Sequence, residues 1–102
     1  MKLSIENLVN TLSAIDTEFD VDLLDLQILH AADTRWKENR EIRMIDLVHE
    51  FKVASSATVH TRVTRQLVDK GMIALKANPD DLREKFVVPG KKLKALKKFL
   101  GE

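Results

Sequence analysis

The chain has 102 residues, no cysteine, and apolar and charged fractions of 44% and 32%; these values fit one globular domain with a small core and exclude a disordered chain, a disulfide framework and a thiolate metal site. No apolar run approaches the thickness of a bilayer, and the opening MKLSIENLVNTL is broken by Glu6, Asn7 and Asn10, so no membrane partner or secretion signal is expected and a cytoplasmic location fits. The net charge of +1 hides a division. Residues 1–39 hold three basic and eight acidic residues, a net of −5, whereas from Arg40 onward 14 basic residues meet eight acidic ones, a net of +6. A basic half is the electrostatic footprint of a nucleic-acid binder.

In chain order, Ile5, Leu8, Val9, Leu12 and Ile15 recur at helical spacing behind a capping Ser4, which predicts an amphipathic helix from Lys2 to Ile15. Asp16 to Asp20 reads as a turn. Asp20 or Asp22 then caps a longer helix to about Lys37, whose Leu23, Leu24, Ile28, Leu29, Ala31 and Ala32 cover more than one face and make it central. Arg40 to Arg43 suits an extended connector or a small edge strand. Met44 to Phe51 gives about two helical turns, with Ile45, Leu47, Val48 and Phe51 as apolar positions, and Lys52 to Ala54 forms a tight link.

The stretch Ser55 to Ile73 follows as the longest capped helix of the basic half, started by Ser55 or Ser56 and stopped by Gly71. Val59, Val63 and Leu67 at i, i+4 and i+8 form a core stripe, which leaves Thr58, Thr61, Arg62 and Arg65 on roughly the opposite side. A short helix, a tight turn and a longer capped helix make a helix-turn-helix pattern. Beyond Gly71 the period changes: extended segments flank the turn formers Asn78, Pro79, Asp80 and Asp81, a hairpin whose wing covers about residues 76–86. Pro89 and Gly90 end it. Lys91 to Leu100 is a last helix with Leu93, Leu96 and Leu100 on one side and lysines on the rest. The expected fold is mainly α with a small β-hairpin wing: a single winged helix-turn-helix domain over residues 1–102, with a DNA-binding core at 40–89 and additional N- and C-terminal helices at 1–15 and 91–100.

The run from about Arg40 to Leu100 resembles winged-helix transcription regulators of the MarR type, through DLV at Asp46 to Val48, SSATV at Ser55 to Val59, LVDKGMI at Leu67 to Ile73 and NPDDLR at Asn78 to Arg83. The resemblance implies a homodimer that sets one reading helix per subunit in successive major grooves and a wing in each minor groove. By position it implies that Ser55, Thr58, Thr61, Arg62 and Arg65 face DNA and that Arg83 sits on the wing. Two departures stand out. Leu82 precedes Arg83 where many family wings carry two successive basic residues, and the ligand-sensing members of the family have longer end helices, so no small-molecule effector is expected here.

Each candidate residue also has a plainer explanation. Arginine forks match guanine edges and phosphates, but Arg62 and Arg65 also suit a solvated helix face with Arg65 paired to Asp69. Thr58 and Thr61 suit phosphates, a thymine methyl or an ordinary surface; Ser55 and Ser56 are caps first, beside backbone N–H groups that can hold a phosphate. Arg83 and Lys85 project to one side of a strand, where Arg83 would enter a narrow minor groove or guard a sheet edge. Ile5, Leu8, Val9 and Leu12 at one end and Leu93, Leu96 and Leu100 at the other are expected to pack across a two-fold axis, with packing inside one chain as the alternative. His30, His49 and His60 are too scattered for a metal, Asp80 and Asp81 serve a turn rather than acid–base chemistry, and Trp36 and Phe51 anchor the core. No cofactor and no enzymatic activity are expected. The expected function is a sequence-specific double-stranded DNA-binding transcription regulator, most simply a dimeric repressor; the alternative is a winged-helix protein–protein interaction module, an accessory or anti-repressor protein without its own DNA target.

Overall fold

The computed structural model describes residues 4–50 and 55–102. The expected helix start at Lys2, the anchor Phe51 and the link Lys52 to Ala54 lie outside the described residues. The first helix, α1 (Ile5–Phe19), is capped by Ser4, whose hydroxyl accepts the Asn7 N–H at 3.1 Å. It runs one turn further than its sequence indicates. Asp16 to Phe19 stay helical, and the reversal is compressed behind Asp20, which closes the helix in the left-handed region at φ 55°. The extra turn brings Phe19 under Ile15, onto the core and edge-on to Phe99 with ring centroids 5.5 Å apart. That burial outweighs the turn-forming bias of the acidic stretch.

Asp22 caps α2 (Leu23–Lys37) in a capping box with Asp25, each side chain accepting the other's backbone N–H. The helix is central: Ile28, Leu29 and Ala32 are buried, and Leu24, Leu26, Ala31 and Trp36 pack around them. Trp36 packs against the core and its indole N–H donates to the Val87 carbonyl at 3.0 Å. After α2 the chain runs extended. The Ile42 carbonyl accepts the Val87 N–H at 2.7 Å and Arg43 pairs with Phe86 in a single antiparallel bridge, so the connector borders a sheet as a minimal third strand.

Next comes α3 (Met44–Glu50), with Leu47 and Val48 buried and Ile45 exposed. The following helix, α4 (Ser56–Thr61), continues without a break into a π-helical stretch, Arg62–Leu67, in which the Val68 N–H reaches the Val63 carbonyl five residues back. Val59, Val63 and Leu67 all face the core, as their spacing predicts. Gly71, at φ +77°, ends the element.

The sheet is a hairpin of β1 (Ile73–Asn78) and β2 (Asp81–Pro89), paired antiparallel from Ile73 with Pro89 to Ala77 with Lys85. At its base the chain crosses itself. The Gly90 N–H donates to the Met72 carbonyl and the Lys92 N–H to the Gly71 carbonyl, and a Cβ on Gly90 would lie 2.1 Å from the Gly71 oxygen. Only glycine lets the two backbones approach so closely.

The last helix, α5 (Leu93–Phe99), corrects one expectation. Leu93 and Leu96 are buried within the chain, in a cleft shared with Leu26, Leu29 and His30 of α2, so they are not a free dimerisation surface. Lys97 fixes the arrangement with a 2.5 Å bond to Asp33. The partly covered side of α2 is a nearer partner for these leucines than a second molecule. Leu100 stays partly open, and Ile5, Leu8 and Val9 on α1 are exposed. Thus the molecule is mainly helical with a small antiparallel sheet, and no described helix is long and apolar enough to cross a membrane.

Candidate nucleic-acid interface

The core stripe of α4 decides what the rest of that helix can present. With Val59, Val63 and Leu67 turned inward, Ser55, Ser56, Thr58, Thr61 and Arg65 are all exposed. Ser55 is the cap: its Oγ accepts the Thr58 N–H at 3.2 Å and lies 2.8 Å from the Thr58 hydroxyl. Thr58 therefore shares its hydroxyl with the cap, whereas that of Thr61 makes no hydrogen bond among the described residues. Arg65 forms no ion pair among the described residues, and the pairing with Asp69 that would make it an ordinary surface arginine does not occur there.

Arg62 is the second correction. Expected on the outer face, its guanidinium turns to the N-terminus of α2, where Nη1 donates to Asp22 Oδ2 at 2.6 Å and to Asp25 Oδ1 at 3.4 Å. Its side chain is 27% exposed, while Asp25 is 1% exposed. Lys70 closes the cluster from the other side, its Nζ 3.7 Å from Asp25 Oδ2 and bonded to the Asp20 carbonyl. A capping box built from two carboxylates leaves two like charges at one helix end, and removing them from water is costly unless cations meet them. Arg62 and Lys70 do so. Burial alone would raise the Asp22 carboxyl, but the Asp25 N–H and the Arg62 guanidinium outweigh it and hold the group below the usual aspartate range. At Asp25 burial dominates, reinforced by the charge of Asp22, and its value is raised despite the Asp22 N–H and the two cations. Arg62 itself is pushed up by the Asp22 bond. The cluster thus ties Arg62 to the start of α2, while Arg62 also borders an open pocket with Ala57, Thr58 and Thr61.

On the hairpin, the alternation expected for β2 is present. Arg83 and Lys85 are exposed, while Glu84 turns back toward Arg43 at 3.4 Å. Arg43 is already held in a two-point pair by Asp46, at 2.8 and 3.2 Å, and the Asp46 bond chiefly raises its value. The tip is ordered by its own turn formers: Asn78 Oδ1 accepts the Asp80 N–H and Asp81 Oδ1 accepts the Arg83 N–H, each at 3.0 Å. Asp80 and Asp81 are used there as turn residues. The Arg83 guanidinium lies 3.6 Å from Asp81, and its side chain is 95% exposed. Lys85 forms no ion pair among the described residues.

A cleft of about 520 Å³ separates helix from hairpin, floored by Met44, Ile45, Val48 and Leu75 and rimmed by His60 and Lys85. Its helix wall carries His60 and Thr64, and its hairpin wall carries Arg83 and Lys85 with Asp81 and Glu84 beside them, while Asp22, Asp25, Asp33 and Asp46 are each engaged by a cation. The arrangement can bind an extended polyanion through guanidinium, ammonium and hydroxyl groups. No set of three His, Asp or Glu side chains that could hold a metal ion occurs among the described residues. The inward turn of Arg62 escaped the sequence because its partners are 37 and 40 residues away; the one available signal was a two-carboxylate capping box in need of cations. Compared with known proteins, the chain matches no family model, no curated sequence and no solved structure.

Proposed function

We propose that this chain is a winged helix-turn-helix protein that binds double-stranded DNA as a homodimer and regulates transcription, most simply by occluding a promoter. The observation that carries the proposal is the pairing of two exposed surfaces on one core. The outer face of α4 and its π-helical continuation bears Thr58, Thr61 and Arg65, which forms no ion pair among the described residues, and the adjoining hairpin bears Arg83 and Lys85. In this reading α4 with its π-helical continuation enters a major groove, where Arg65 meets a guanine edge or phosphate and the threonines meet phosphates or a thymine methyl. The hairpin is the wing. Arg62 is a positioning residue that holds the helix to α2 through Asp22 and Asp25.

The resemblance to MarR-type regulators supports the same reading. Dimerisation rests on the exposed Ile5, Leu8 and Val9 of α1, with Leu12 beside them and Phe99 and Leu100 partly open on α5. A two-fold dimer would place its two reading helices on half-sites about one helical turn apart. The rival reading, a module that grips a protein partner, draws on the same apolar stripe of α1 and on exposed Ile45.

Fluorescence anisotropy of a labelled pool of duplexes, titrated at several salt concentrations, tests the proposal. A log affinity that falls linearly with log salt, at a slope corresponding to several phosphates, is the expected result. Absence of binding at low salt would refute it and favour the protein-partner module.

A further inference from the structure

The hairpin tip carries a feature that charge does not explain. Ala77 pairs with Lys85 but Asn78 pairs with Asp81, so Leu82, Arg83 and Glu84 lie opposite no residue of β1. Both ends of this break are fixed, Asp81 by the bond to the Arg83 N–H and Glu84 by Arg43. The two residues between the anchors project outward, and Leu82 is 76% exposed. Among the exposed large apolar side chains of the described residues, only Ile5 is more open. Single exposed leucines are ordinary on protein surfaces. This one is held out by an ordered bulge, between Asp81 and Arg83 and three residues before Lys85.

We infer that Leu82 is a wedge for the DNA minor groove, an inference that rests on the DNA-binding reading above. The groove's walls are the apolar faces of deoxyriboses and its floor is rich in acceptors at A·T pairs. Leu82 followed by Arg83 and Lys85, on a tip whose Asp81 and Glu84 are held by Arg83 and Arg43, matches both, because the cations hold the tip at the negative groove while the isobutyl group displaces water from the sugars and leans into a base step. Pyrimidine–purine steps such as TA unstack most readily, whereas A-tracts are stiff. Leu82 therefore selects sequence through deformability, at flanking positions where no base edge is read, and the bound duplex is bent.

The test uses the full chain and two pools of end-labelled duplexes that share a randomised centre and are flanked by alternating TA steps or by uninterrupted A-tracts. Energy transfer between the ends reports bending. Wild-type protein is expected to favour the TA-flanked pool by about tenfold and to bend it. Leu82→Ala should lose the preference and the bend while keeping the slope of log affinity against log salt, and Leu82→Met should retain all three. Arg83→Ala should do the reverse, lowering the slope by about 1 while keeping the bend. A wild-type complex that is straight and indifferent to its flanks overturns the wedge and leaves DNA binding intact, as does a Leu82→Ala protein that keeps both properties. Failure of the wild-type chain to bind either pool at low salt refutes the DNA-binding reading, and the wedge with it. The unfolding midpoint of Leu82→Ala should match the wild type closely, since the side chain is 76% exposed.

Discussion

Replacing Arg62 by alanine separates an anchoring role from a reading role. The change strips Asp22 of its 2.6 Å partner and leaves buried Asp25 with Lys70 at 3.7 Å and the Asp22 N–H. Breaking a fully buried ion pair costs roughly 3–5 kcal/mol and losing an exposed one roughly 0–1 kcal/mol. Arg62 and Asp22 are 27% and 43% exposed, so water screens the outer part of the cluster. The expected loss is about 2 kcal/mol, between those limits. For a domain of this size each kcal/mol moves Tm by roughly 4–8 °C, so Arg62→Ala should melt roughly 8–16 °C lower. Arg65→Ala, on the same helix but without an ion pair among the described residues, should stay within about 0.5 kcal/mol of wild type. Urea denaturation of both variants reads the difference. Repeating Arg62→Ala where Asp22 and Asp25 are both asparagine should shrink its cost to about 0.5 kcal/mol, since the carboxylates that need a cation are gone. Equal stability of Arg62→Ala and wild type, or an undiminished cost in the asparagine background, would refute the anchoring role.

Other outcomes follow from the same geometry. Arg65→Ala should weaken binding to a selected site by roughly 1–3 kcal/mol more than to a scrambled duplex; equal losses would mean that Arg65 meets only phosphate. Burial opposes ionisation of Asp33, but hydrogen bonds from Lys97 and Lys37 outweigh it and lower its value from 3.8. The folded carboxyl therefore binds its proton less tightly than the unfolded one, and the stabilisation is complete above pH 3.8 and drains as pH falls through the folded value. Asp33→Asn should cost about 1–2 kcal/mol at neutral pH, with the deficit vanishing in acid; a pH-independent deficit would show that the ion pair is not its source. Leu8→Glu with Val9→Glu should yield a monomer by sedimentation with an unchanged circular dichroism spectrum, whereas an unaltered sedimentation coefficient would remove α1 from the dimer interface.

Much of the local structure was legible because its causes are local. Ser4, Asp22 and Ser55 cap the helices they precede, the Val59, Val63 and Leu67 stripe finds the core, Gly71 stops its helix and Asn78 to Asp81 turns the hairpin. What the chain hid depends on distant partners. Asp16 to Phe19 read as a turn because nothing nearby announces Phe99, and Leu93 and Leu96 read as an open stripe because the spare face of α2 is not visible in α5's own spacing. Of the candidate site, the exposure of Thr58, Thr61, Arg65, Arg83 and Lys85 follows from period alone. Arg62 defied that period because a pair of carboxylates far back in the chain drew it inward, and the π-helical turn that begins at Arg62 leaves no mark in the sequence pattern. The bulge at Leu82 was hidden too, since a register break needs the opposing strand to define it.

The crossing of Gly71 and Gly90 has a consequence for how this architecture can vary. Residues 71–90 leave the body and return to it at this crossing, and the base of the hairpin is held besides by Trp36, Ile42 and Arg43 on Phe86 and Val87. Only the part of the arm beyond those contacts is adjustable without disturbing its mount. Adding two residues to each strand would preserve which side chains face in and out and carry the tip about 7 Å further, at roughly 3.4 Å per residue. The body, with its core and its anchored helix, would be indifferent to the change, while the span of duplex between helix and tip would not. A ruler of this kind can be recut for a different target by lengthening or trimming the hairpin alone.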